Sequence, residues 1–492
     1  MFQRGREISL RRTVLLSADV ICIAISIVLS AVIRLRPEAG LEYAARHLPS
    51  LAGSLVIFLI VFYAGGMYER QSLTKKSASY LLPLVTVLIS LAIIILVFYA
   101  RFQLHIGRGI LLLAGAFVFL GTWVIRHMYR AAVGMGFLSK NTLIVGDDRE
   151  VRDVLHLIAS TPDTGIKVLG VVSCSAVEPG VFIDGVPVIG TIDKLRELSD
   201  AFSTETIIVA TSLSKEPSVL RLLRPLRCAG TEVMDYVALH ESLAQEIPLN
   251  HINDEWLMSA AMNSSVIHIR KIKRIMDVSV ALVGLLVTSP ICLITALLIR
   301  LESHGQILYR QRRCGLDGCH YTLLKFRTMR QDAEAGTGAV WAGQFDNRVT
   351  RIGRFLRKWR IDEIPQLVNV LKGEMSLVGP RPERPEFVET LAQAIPFYKE
   401  RLLVSPGVTG WAQVKYPYAA SIEAARHKLQ YDLYYIKHMS FFLDCLILLR
   451  TFRTIIVGLR HSEGDMPPAS SEGARVLTVL KREDVNGRSK TA

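Results

Sequence analysis

Cysteines are few in this sequence, and their spacing fits neither a disulfide framework nor a complete zinc site. The seven are Cys22, Cys174, Cys228, Cys292, Cys314, Cys319 and Cys445. A disulfide-rich secreted domain is therefore excluded, and we expect a reducing compartment for the parts outside a membrane. Cys314 and Cys319 flank a turn beside His320, but the second half of a metal-binding set is missing.

A cleavable leader and a glycine-rich phosphate loop are also missing. Arginines precede the first apolar run, but further apolar runs follow it without a recognisable cleavage site, so we expect no cleaved signal peptide. The turn Gly146-Asp147-Asp148 stands where a dinucleotide fingerprint would need two more glycines. Because its carboxylates would repel a pyrophosphate, we expect a domain kept for regulation or assembly, without a bound cofactor.

Apolar and basic residues, in contrast, are abundant. Half of the 492 residues are apolar, the mean hydropathy is +0.33 and the formal net charge is +14. The hydropathy indicates membrane segments. Because the basic residues lie near the apolar runs, they favour lipid headgroups and phosphorylated substrates as partners, rather than nucleic acid.

Four apolar runs predict a four-transmembrane-helix domain over residues 1–130. They are Thr13–Ile33, Leu51–Met67, Leu81–Ala100 and Gly109–Ile125. Each can cross about 30 Å of hydrocarbon as a helix, and the distribution of basic residues places both termini in the cytoplasm. Asp19 lies inside the first run and is expected to be shallow, snorkelling or paired with another helix. With few polar residues inside it, the bundle is interpreted as an anchor rather than a transport path.

Residues 141–250 predict a Rossmann-like α/β domain, because strand-like and amphipathic helical segments alternate there. The expected strands are Thr142–Gly146, Val168–Val172, Val186–Ile189, Thr206–Ala210 and Glu232–Tyr236. The expected helices are Arg149–Ala159, Ile192–Ala201 and Pro217–Cys228.

A further long apolar run, Val278–Ile299, opens the last third of the chain. Ser289-Pro290 interrupts it, and proline bends or breaks a helix because it lacks the backbone N–H. Both flanks are basic, so a full crossing would put one basic flank on the wrong side of the membrane. We therefore predict a re-entrant helix over 278–299 that turns at Ser289 and Pro290, with a kinked crossing as the alternative.

A β-hairpin is predicted after this run. Ile307–Arg310 can pair with Tyr321–Phe326, and Asp317-Gly318 is a strong signal for the tight turn between them. Tyr321 and Lys325 have the spacing of a dehydrogenase pair, but no glycine-rich cofactor loop precedes them. We interpret that spacing as coincidence.

Asp362 and Glu363 are the candidate catalytic pair. Pro365 favours a helix start and Lys372-Gly373 a helix end, so both carboxylates are expected at a helix N-terminus. The helix dipole and upstream arginines would favour ionised carboxylates and bound phosphate. An ionised carboxylate can attack phosphorus, and its neighbour can accept a proton or hold a divalent cation. Simple helix capping is the alternative interpretation.

Two loops and one helix strengthen the interpretation of a phosphate site. In Pro380-Arg381-Pro382 the prolines fix the backbone, so the guanidinium can be aimed at a phosphate or a base edge. Pro406–Gln413 is a second polar, glycine-rich loop with an aromatic residue. Phe441–Val457 combines aromatic, basic and apolar residues, which suits either the headgroup layer of a membrane or a domain core.

Several ordered motifs in the last third resemble those of the bacterial sugar transferases, the monotopic polyprenyl-phosphate phosphoglycosyl transferases. Besides Ser289-Pro290 and Asp362-Glu363, they are Lys273-Arg274-Ile-Met-Asp277, Gln311-Arg-Arg-Cys-Gly315, Lys325-Phe-Arg-Thr-Met329, Arg348-Val-Thr-Arg-Ile-Gly353, Gly373-Glu-Met-Ser-Leu-Val-Gly-Pro-Arg-Pro382 and Pro406-Gly-Val-Thr-Gly410. The N-terminal helices and middle domain resemble the large form of the family, which includes undecaprenyl-phosphate glucose and galactose phosphotransferases.

The resemblance implies an α+β catalytic domain over residues 268–460 and a ping-pong reaction. Asp362 would attack the sugar-proximal phosphorus of a UDP-sugar and expel UMP, and undecaprenyl phosphate would then accept the sugar phosphate. Asp362 and Glu363 would hold Mg²⁺, and Arg357 would hold a phosphate. Arg381, with Pro380 and Pro382, would bind the nucleotide. UDP-glucose is the expected donor and UDP-galactose the next, although Ala412 departs from the expected pattern near the sugar pocket.

The resemblance also implies a multi-pass protein of the bacterial inner membrane, with its catalytic domain in the cytoplasm. The product would enter exopolysaccharide, capsule or O-antigen synthesis, and a homo-oligomer is left open. Two other functions are considered, a membrane-anchored nucleotide-sugar dehydratase or oxidoreductase and a non-catalytic regulator of polysaccharide assembly. Residues 461–492 are polar and aperiodic and are expected to form a disordered tail.

Overall fold

The structure, a computed structural model, describes most of the chain. The described residues are 6–68, 78–100, 106–134, 139–161, 164–175, 180–210, 217–254, 256–257, 266–329, 348–416 and 421–457. The predicted tail at 461–492 lies outside them. Two compact units divide the chain, Met1–Ala244 and Gln245–Ala492.

All four apolar runs of the N-terminal region fall in helices. The helices are α1 (Arg6–Leu35), α2 (Pro37–Arg46), α3 (Leu48–Ala64), α4 (Ala78–Ala100) and α5 (Arg108–Gly134). The short helix α2 was not expected from the sequence, and it meets α3 at an angle of 80°.

By length and composition, three helices of the described parts could each cross a membrane. They are Thr13–Leu35 and Arg108–Ala132 in the first unit and Arg270–Glu302 in the second. Counting the bent pair α2 and α3 as one span gives up to four, and the apolar stretch of α4, Leu82–Val97, is shorter. The membrane character is thus clear, while the four-helix bundle stays a prediction.

Asp19 pairs with another helix inside the apolar bundle. The two terminal nitrogens of Arg126, on α5, donate to its carboxylate at 2.8 and 2.7 Å. The hydroxyl of Tyr68 donates to the same carboxylate at 2.8 Å. All three residues are buried, so the expectation of a helix-paired residue is confirmed.

A six-stranded sheet forms the middle domain. Its strands are β1 (Lys140–Val145), β2 (Ile166–Ser173), β3 (Phe182–Ile183), β4 (Val186–Thr191), β5 (Thr206–Val209) and β6 (Glu232–Asp235). The helices are α6 (Asp148–Ser160), α7 (Leu195–Ala201), α8 (Pro217–Cys228) and α9 (Tyr236–Ala244). The strand order is β3-β4-β2-β1-β5-β6, with only β3 antiparallel to its neighbour. The parallel strands therefore follow the order of a dinucleotide-binding sheet, as the sequence predicted.

The first turn of this sheet is fastened by a carboxylate. One oxygen of Asp147 accepts hydrogen bonds from the hydroxyl of Ser173 at 3.3 Å and from the backbone N–H of Ser175 at 3.1 Å. These bonds join the start of α6 to the end of β2, so Asp147 has a structural role in the turn.

The second unit combines one long helix with two small sheets and several short helices. Its helices are α10 (Val266–Glu302), α11 (Arg351–Lys358), α12 (Gln366–Lys372), α13 (Pro385–Ala394), α14 (Trp411–Lys415), α15 (Ile422–His438) and α16 (Phe441–Val457). Its strands are β7 (Leu308–Cys314), β8 (His320–Phe326), β9 (Ser376–Val378) and β10 (Gly407–Thr409). The antiparallel pair β7–β8 is the predicted hairpin, and its turn has Asp317 and Gly318 at φ values of +51° and +78°.

The long helix α10 continues through the predicted turn. Pro290 lies inside it, and the hydroxyl of Ser289 donates to the carbonyl oxygen of Leu286 at 2.8 Å. The backbone therefore stays helical at Ser289 and Pro290. Whether the helix returns to the same face of a membrane stays a prediction.

Candidate functional site

Asp362 and Glu363 lie in a single 3₁₀ turn, Ile361–Glu363, that joins α11 to α12. The expectation that they begin the following helix is wrong by about one turn, since α12 itself begins at Gln366 and has seven residues. Arg360 precedes the turn in a left-handed conformation, with a φ of +55°. This conformation ends α11 and redirects the chain, so the two carboxylates form a separate turn.

Side-chain hydrogen bonds to two other elements hold α12 in place. Asn369 donates to the carbonyl oxygen of Thr322 at 2.8 Å and accepts from the backbone N–H of Leu324 at 3.1 Å, which fastens α12 to β8. Arg274, on α10, donates to two carbonyl oxygens of the last turn of α12 at 2.6 and 2.8 Å. Gly373 ends the helix at a φ of +88°, as the sequence predicted.

Three cations surround one carboxylate oxygen of Glu363. Lys325 Nζ donates to Oε1 at 3.1 Å, Arg381 Nη2 donates to it at 3.3 Å, and Arg360 Nη1 lies 3.6 Å away. Burial by itself would raise the pKa of Glu363, but these cations hold it below its ordinary value. Burial also lowers the pKa of Lys325, and the charge of Glu363 opposes that shift. Glu363 is therefore the buried counter-ion of a basic cluster.

Asp362 occupies a different environment next to Glu363. Its Oδ1 is buried and has no hydrogen-bond partner among the residues that the structure describes, and the residue is 8 % exposed. Burial, followed by the negative charge of Glu363, raises its pKa against the opposing charges of Lys325, Arg360 and Arg357. The nearby arginines do favour the ionised form of Asp362, as expected, but burial and the charge of Glu363 outweigh them, so the net shift of its pKa is upward. Once ionised, this carboxylate is poorly solvated and suited to nucleophilic attack.

Arg357 is positioned by the strand end that also supplies Lys325. Its Nε donates to the hydroxyl of Thr328 at 2.9 Å. Arg327, between them, donates to the carbonyl oxygens of Ser303 and His304 at the end of α10 at 2.7 and 3.0 Å. β8 and the segment after it thus contact α10, α11 and the turn Ile361–Glu363, the candidate catalytic turn.

Lys325 is the site residue that reasoning from spacing overlooked. It belongs to the motif Lys325-Phe-Arg-Thr-Met329, but its distance from Tyr321 invited comparison with dehydrogenases. Alternation along β8 was the available signal, because Lys325 shares a face of the strand with Tyr321 and Leu323, both of which are buried. Only the packing of β8 against the turn identifies Glu363 as its partner.

The Pro380-Arg381-Pro382 loop is held rigid through its carbonyl oxygens. The carbonyl of Arg381 accepts from Arg401 and that of Pro382 from Arg313, both at 2.9 Å. The carbonyl of Pro380 accepts from the backbone N–H of Gly407 at 2.9 Å. The backbone is thus fixed while the Arg381 side chain reaches Glu363, and the aiming of its guanidinium at a phosphate or a base edge stays a prediction.

The second glycine-rich loop supports this loop rather than lining the catalytic turn. A Cβ atom on Gly410 would lie 2.2 Å from the carbonyl oxygen of Gly379, so the two loops approach closely at glycines. Trp411 is buried, and its Nε1 donates to the carbonyl oxygen of Gln245 at 3.0 Å. Its ring therefore belongs to the core of the second unit.

The structure brings together most of the predicted site residues. Asp362, Glu363, Arg357 and Arg381 converge on the turn, and Pro380 and Pro382 frame the loop that supplies Arg381. The remaining pair, Ser289-Pro290, belongs to α10.

The acidic residues fit a Mg²⁺ site only in part. Within the described segments, no group of three or more His, Cys, Asp and Glu side chains is placed to hold a metal ion. Mg²⁺ is commonly held by one or two carboxylates together with substrate phosphates and water. The unpartnered Oδ1 of Asp362 fits such a set. Glu363 fits it less well, because Oε1 already faces three cations.

Two protein families match different parts of the chain. A model described as bacterial sugar transferase matches residues 268–458, which include the catalytic turn and both loops. A model described as CoA-binding domain matches residues 63–233, which include most of the middle sheet.

Three curated proteins illustrate the similarity. A "UDP-N-acetylgalactosamine-undecaprenyl-phosphate N-acetylgalactosaminephosphotransferase" of Aeromonas hydrophila is 43% identical over 234 residues, 47% of this chain and 54% of that protein. The match thus spans about half the length of that relative. Two proteins named "UDP-glucose:undecaprenyl-phosphate glucose-1-phosphate transferase" also match. The one from Caulobacter vibrioides is 42% identical, over 37% of this chain and 69% of its own length. The one from Escherichia coli is 30% identical, over 68% of this chain and 72% of its own length.

These similarities agree with the family resemblance of the sequence motifs and with the prediction that the protein is a transferase. The chain belongs to the bacterial sugar transferase family.

Proposed function

We propose that this protein is a phosphoglycosyl transferase that moves a sugar-1-phosphate from a UDP-sugar to undecaprenyl phosphate and releases UMP. The observation that carries the proposal is the buried pair Asp362 and Glu363, in which Oδ1 of Asp362 has no hydrogen-bond partner within the described segments and Glu363 is neutralised by a basic cluster. The relatives named above transfer glucose-1-phosphate or N-acetylgalactosamine phosphate by their names. UDP-glucose remains the proposed donor.

In the proposed first step, an ionised oxygen of Asp362 attacks the phosphorus that bears the sugar. A bond forms between that oxygen and phosphorus, the phosphoanhydride bond to UMP breaks, and UMP leaves with the electron pair. In the second step, a phosphate oxygen of undecaprenyl phosphate attacks the same phosphorus and releases the carboxylate of Asp362. The product is undecaprenyl-diphosphate sugar.

The basic residues around the turn are proposed to bind the donor diphosphate. Arg381 offers a planar guanidinium on a rigid loop, and Arg357 offers a second one from α11. Lys325 would keep Glu363 ionised and in place, so Asp362 retains a negative neighbour. A Mg²⁺ ion held by Asp362, with a lesser part for Glu363, would supply charge neutralisation of the pyrophosphate.

We further propose four transmembrane helices in the first unit and a re-entrant α10 in the second, with the catalytic domain in the cytoplasm at the bacterial inner membrane. Support comes from contacts at both ends of α10. Near its start, Lys273 forms a buried ion pair with Asp444 at 2.7 Å. At its end, Arg327 binds the carbonyl oxygens of Ser303 and His304. Both flanks of α10 therefore contact the same unit, and on this proposal both lie on the cytoplasmic face.

The deciding assay is UMP release from purified full-length protein supplied with undecaprenyl phosphate, Mg²⁺ and a panel of UDP-sugars. UDP-glucose, UDP-galactose and UDP-N-acetylgalactosamine form the panel. Turnover should require the lipid, and Asp362→Asn should lower it by at least about 10³-fold, the scale of losing a catalytic nucleophile. Radiolabelled donor should place label on wild-type protein but not on Asp362→Asn.

Arg381→Lys is the matched variant for the proposed binding role. It keeps the charge but loses the planar fork, so turnover should weaken without disappearing. Undiminished UMP release by Asp362→Asn, or wild-type protein that never carries label, would refute the covalent mechanism.

A further inference from the structure

Arg401 holds the Arg381 loop (Pro380-Arg381-Pro382) from inside the second unit. It lies in the 3₁₀ segment Tyr398–Leu403, and its side chain is 7 % exposed. Its Nη2 donates to the carbonyl oxygen of Arg381 at 2.9 Å, and its Nη1 donates to the hydroxyl of Tyr398 at 2.6 Å. The contact with the loop goes to the backbone, so it fixes where the Arg381 side chain begins without occupying its guanidinium.

A buried carboxylate from another helix supplies the counter-charge of Arg401. Oδ2 of Asp432, on α15, lies 2.9 Å from Nη2 of Arg401, the nitrogen that also binds the loop. Asp432 is 2 % exposed. Because a buried ion that loses its partner is strongly destabilised, the position of the guanidinium depends on this carboxylate. Asp432 therefore acts on the loop through Arg401.

Two further charged side chains act on this ion pair. Glu383, directly after the loop, has Oε1 4.0 Å from Nη1 of Arg401, and its side chain is 24 % exposed. Lys428 lies one turn before Asp432 on α15. Burial raises the pKa of Asp432 to about 6, with Arg401 and Lys428 opposing the shift and Glu383 adding to it. Asp432 thus carries its charge at neutral pH and loses it as the pH falls through about 6.

We propose that Arg401 and Asp432 are positioning residues for the donor, because their ion pair holds the Arg381 loop in the shape that binds the diphosphate of a UDP-sugar. The inference rests on the function proposed above, in which Arg381 binds that diphosphate. Without the charge of Asp432, Arg401 is drawn towards the more distant and more exposed carboxylate of Glu383. Its hydrogen bond to the loop then weakens, and the guanidinium of Arg381 is no longer held in place.

Steady-state kinetics separate this role from a general loss of structure. In the two-step reaction proposed above, kcat/KM for the donor reports the first step and kcat/KM for the lipid reports the second. The isosteric change Asp432→Asn should lower kcat/KM for the UDP-sugar about tenfold at alkaline pH and leave that for undecaprenyl phosphate unchanged. Equal losses in both constants would overturn the proposal.

Two further variants complete the kinetic test. Tyr398→Phe leaves the ion pair but removes one hydrogen bond of Arg401, so it should give a smaller loss, again confined to the donor. It also serves if Asp432→Asn fails to fold. Glu246→Gln neutralises a buried carboxylate that pairs with His427 instead, and as the matched control it should change neither constant.

The pH profile is a readout that a merely structural role would not move. The ratio of kcat/KM for the donor between wild type and Asp432→Asn cancels every other titration that the two proteins share. This ratio should fall from about tenfold at alkaline pH towards one as the pH drops below about 6, where wild-type Asp432 is also uncharged. A ratio that does not change with pH would contradict the proposal.

Hydrogen exchange tests the positioning without reference to activity. In full-length protein, Asp432→Asn should increase deuterium uptake in peptides that cover residues 379–384 and leave peptides from β8 unchanged. Unchanged uptake across the Arg381 loop would overturn the proposal. Increased uptake there, in a protein whose wild type releases no UMP from any UDP-sugar, would refute the proposed function alone.

Discussion

Two neighbouring carboxylates of this protein titrate in opposite directions from their ordinary values. Burial and the charge of Glu363 raise the pKa of Asp362. Lys325, Arg381 and Arg360 outweigh burial at Glu363 and lower its pKa. The difference arises because the three cations meet at an oxygen of Glu363, while no residue in the described part of the chain forms a hydrogen bond with the buried Oδ1 of Asp362. One carboxylate is thus stabilised in its charged form, and the other is kept reactive.

The isosteric pair Asp362→Asn and Glu363→Gln should therefore change stability in opposite directions. With a raised folded-state pKa, ionised Asp362 destabilises the fold as pH rises through that pKa, so Asn should raise the unfolding temperature at neutral pH. Glu363, with a lowered pKa, contributes stability above its unfolded pKa, so Gln should cost on the order of 3 kcal/mol. Thermal unfolding of detergent-solubilised protein at neutral pH measures both.

The same measurement at acidic pH supplies the control. Below about pH 4 the unfolded-state carboxyl of Glu363 binds a proton, so the penalty of Glu363→Gln should shrink as the pH falls towards the lower folded-state pKa. Two variants that lower the unfolding temperature equally at neutral pH would contradict the assignment of opposite shifts.

At the scale of elements, α11 and the end of β8 approach each other at a glycine. A Cβ atom on Gly353 would lie 2.2 Å from the carbonyl oxygen of Thr328. The same carbonyl accepts from the backbone N–H of Thr350 at 3.0 Å, and the hydroxyl of Thr350 caps α11 by accepting from Gly353. This close contact keeps Arg357 within hydrogen-bond distance of Thr328.

Gly353→Ala should therefore separate α11 from β8. Because the added methyl group meets backbone rather than a flexible side chain, we expect a loss of roughly 1–3 kcal/mol and lower turnover. Gly53→Ala is the matched control, since a Cβ atom there meets nothing within 4 Å. Unfolding temperature and UMP release are measured for both. Unchanged values for Gly353→Ala would mean that the contact is not required.

At the scale of the whole molecule, the decisive question is the path of α10 relative to the membrane. Its exposed side chains are strongly apolar, and its two ends contact the same unit through Lys273 and through the carbonyl oxygens bound by Arg327. The helix is unbroken over the roughly 30 residues between these attachments, about 45 Å along its axis, so it is long enough to cross about 30 Å of hydrocarbon and only the accessibility of its two ends distinguishes the two paths.

Cysteine labelling resolves the path of α10. His304→Cys, in a protein whose exposed Cys228 and Cys319 are replaced, should react with an impermeant maleimide only from the cytoplasmic side. Glu38→Cys, in the first turn of α2 just after the first predicted span, is the control and should react from the outside. Labelling of His304→Cys from the outside alone would exclude the re-entrant path.

The agreement between sequence and structure is best where the determinants are local. The five parallel strands of the middle sheet, the Asp317-Gly318 hairpin and the end of α12 at Gly373 follow from periodicity and turn chemistry within short windows. Helix α2 was overlooked because it carries little apolar periodicity and lies among charged residues of a loop.

The sequence by itself determined which residues could perform the chemistry, because Asp362, Glu363, Arg357 and Arg381 stand in motifs that can be recognised without a structure. It also determined the apolar segments and the basic charge. Only the tertiary structure decided how these groups are tuned. Burial and the contact with Lys325 shift the pKa values of two adjacent acids in opposite directions. β8 brings Lys325 to the turn from a distant part of the chain, and desolvation and charge contacts depend on position in space rather than on sequence distance.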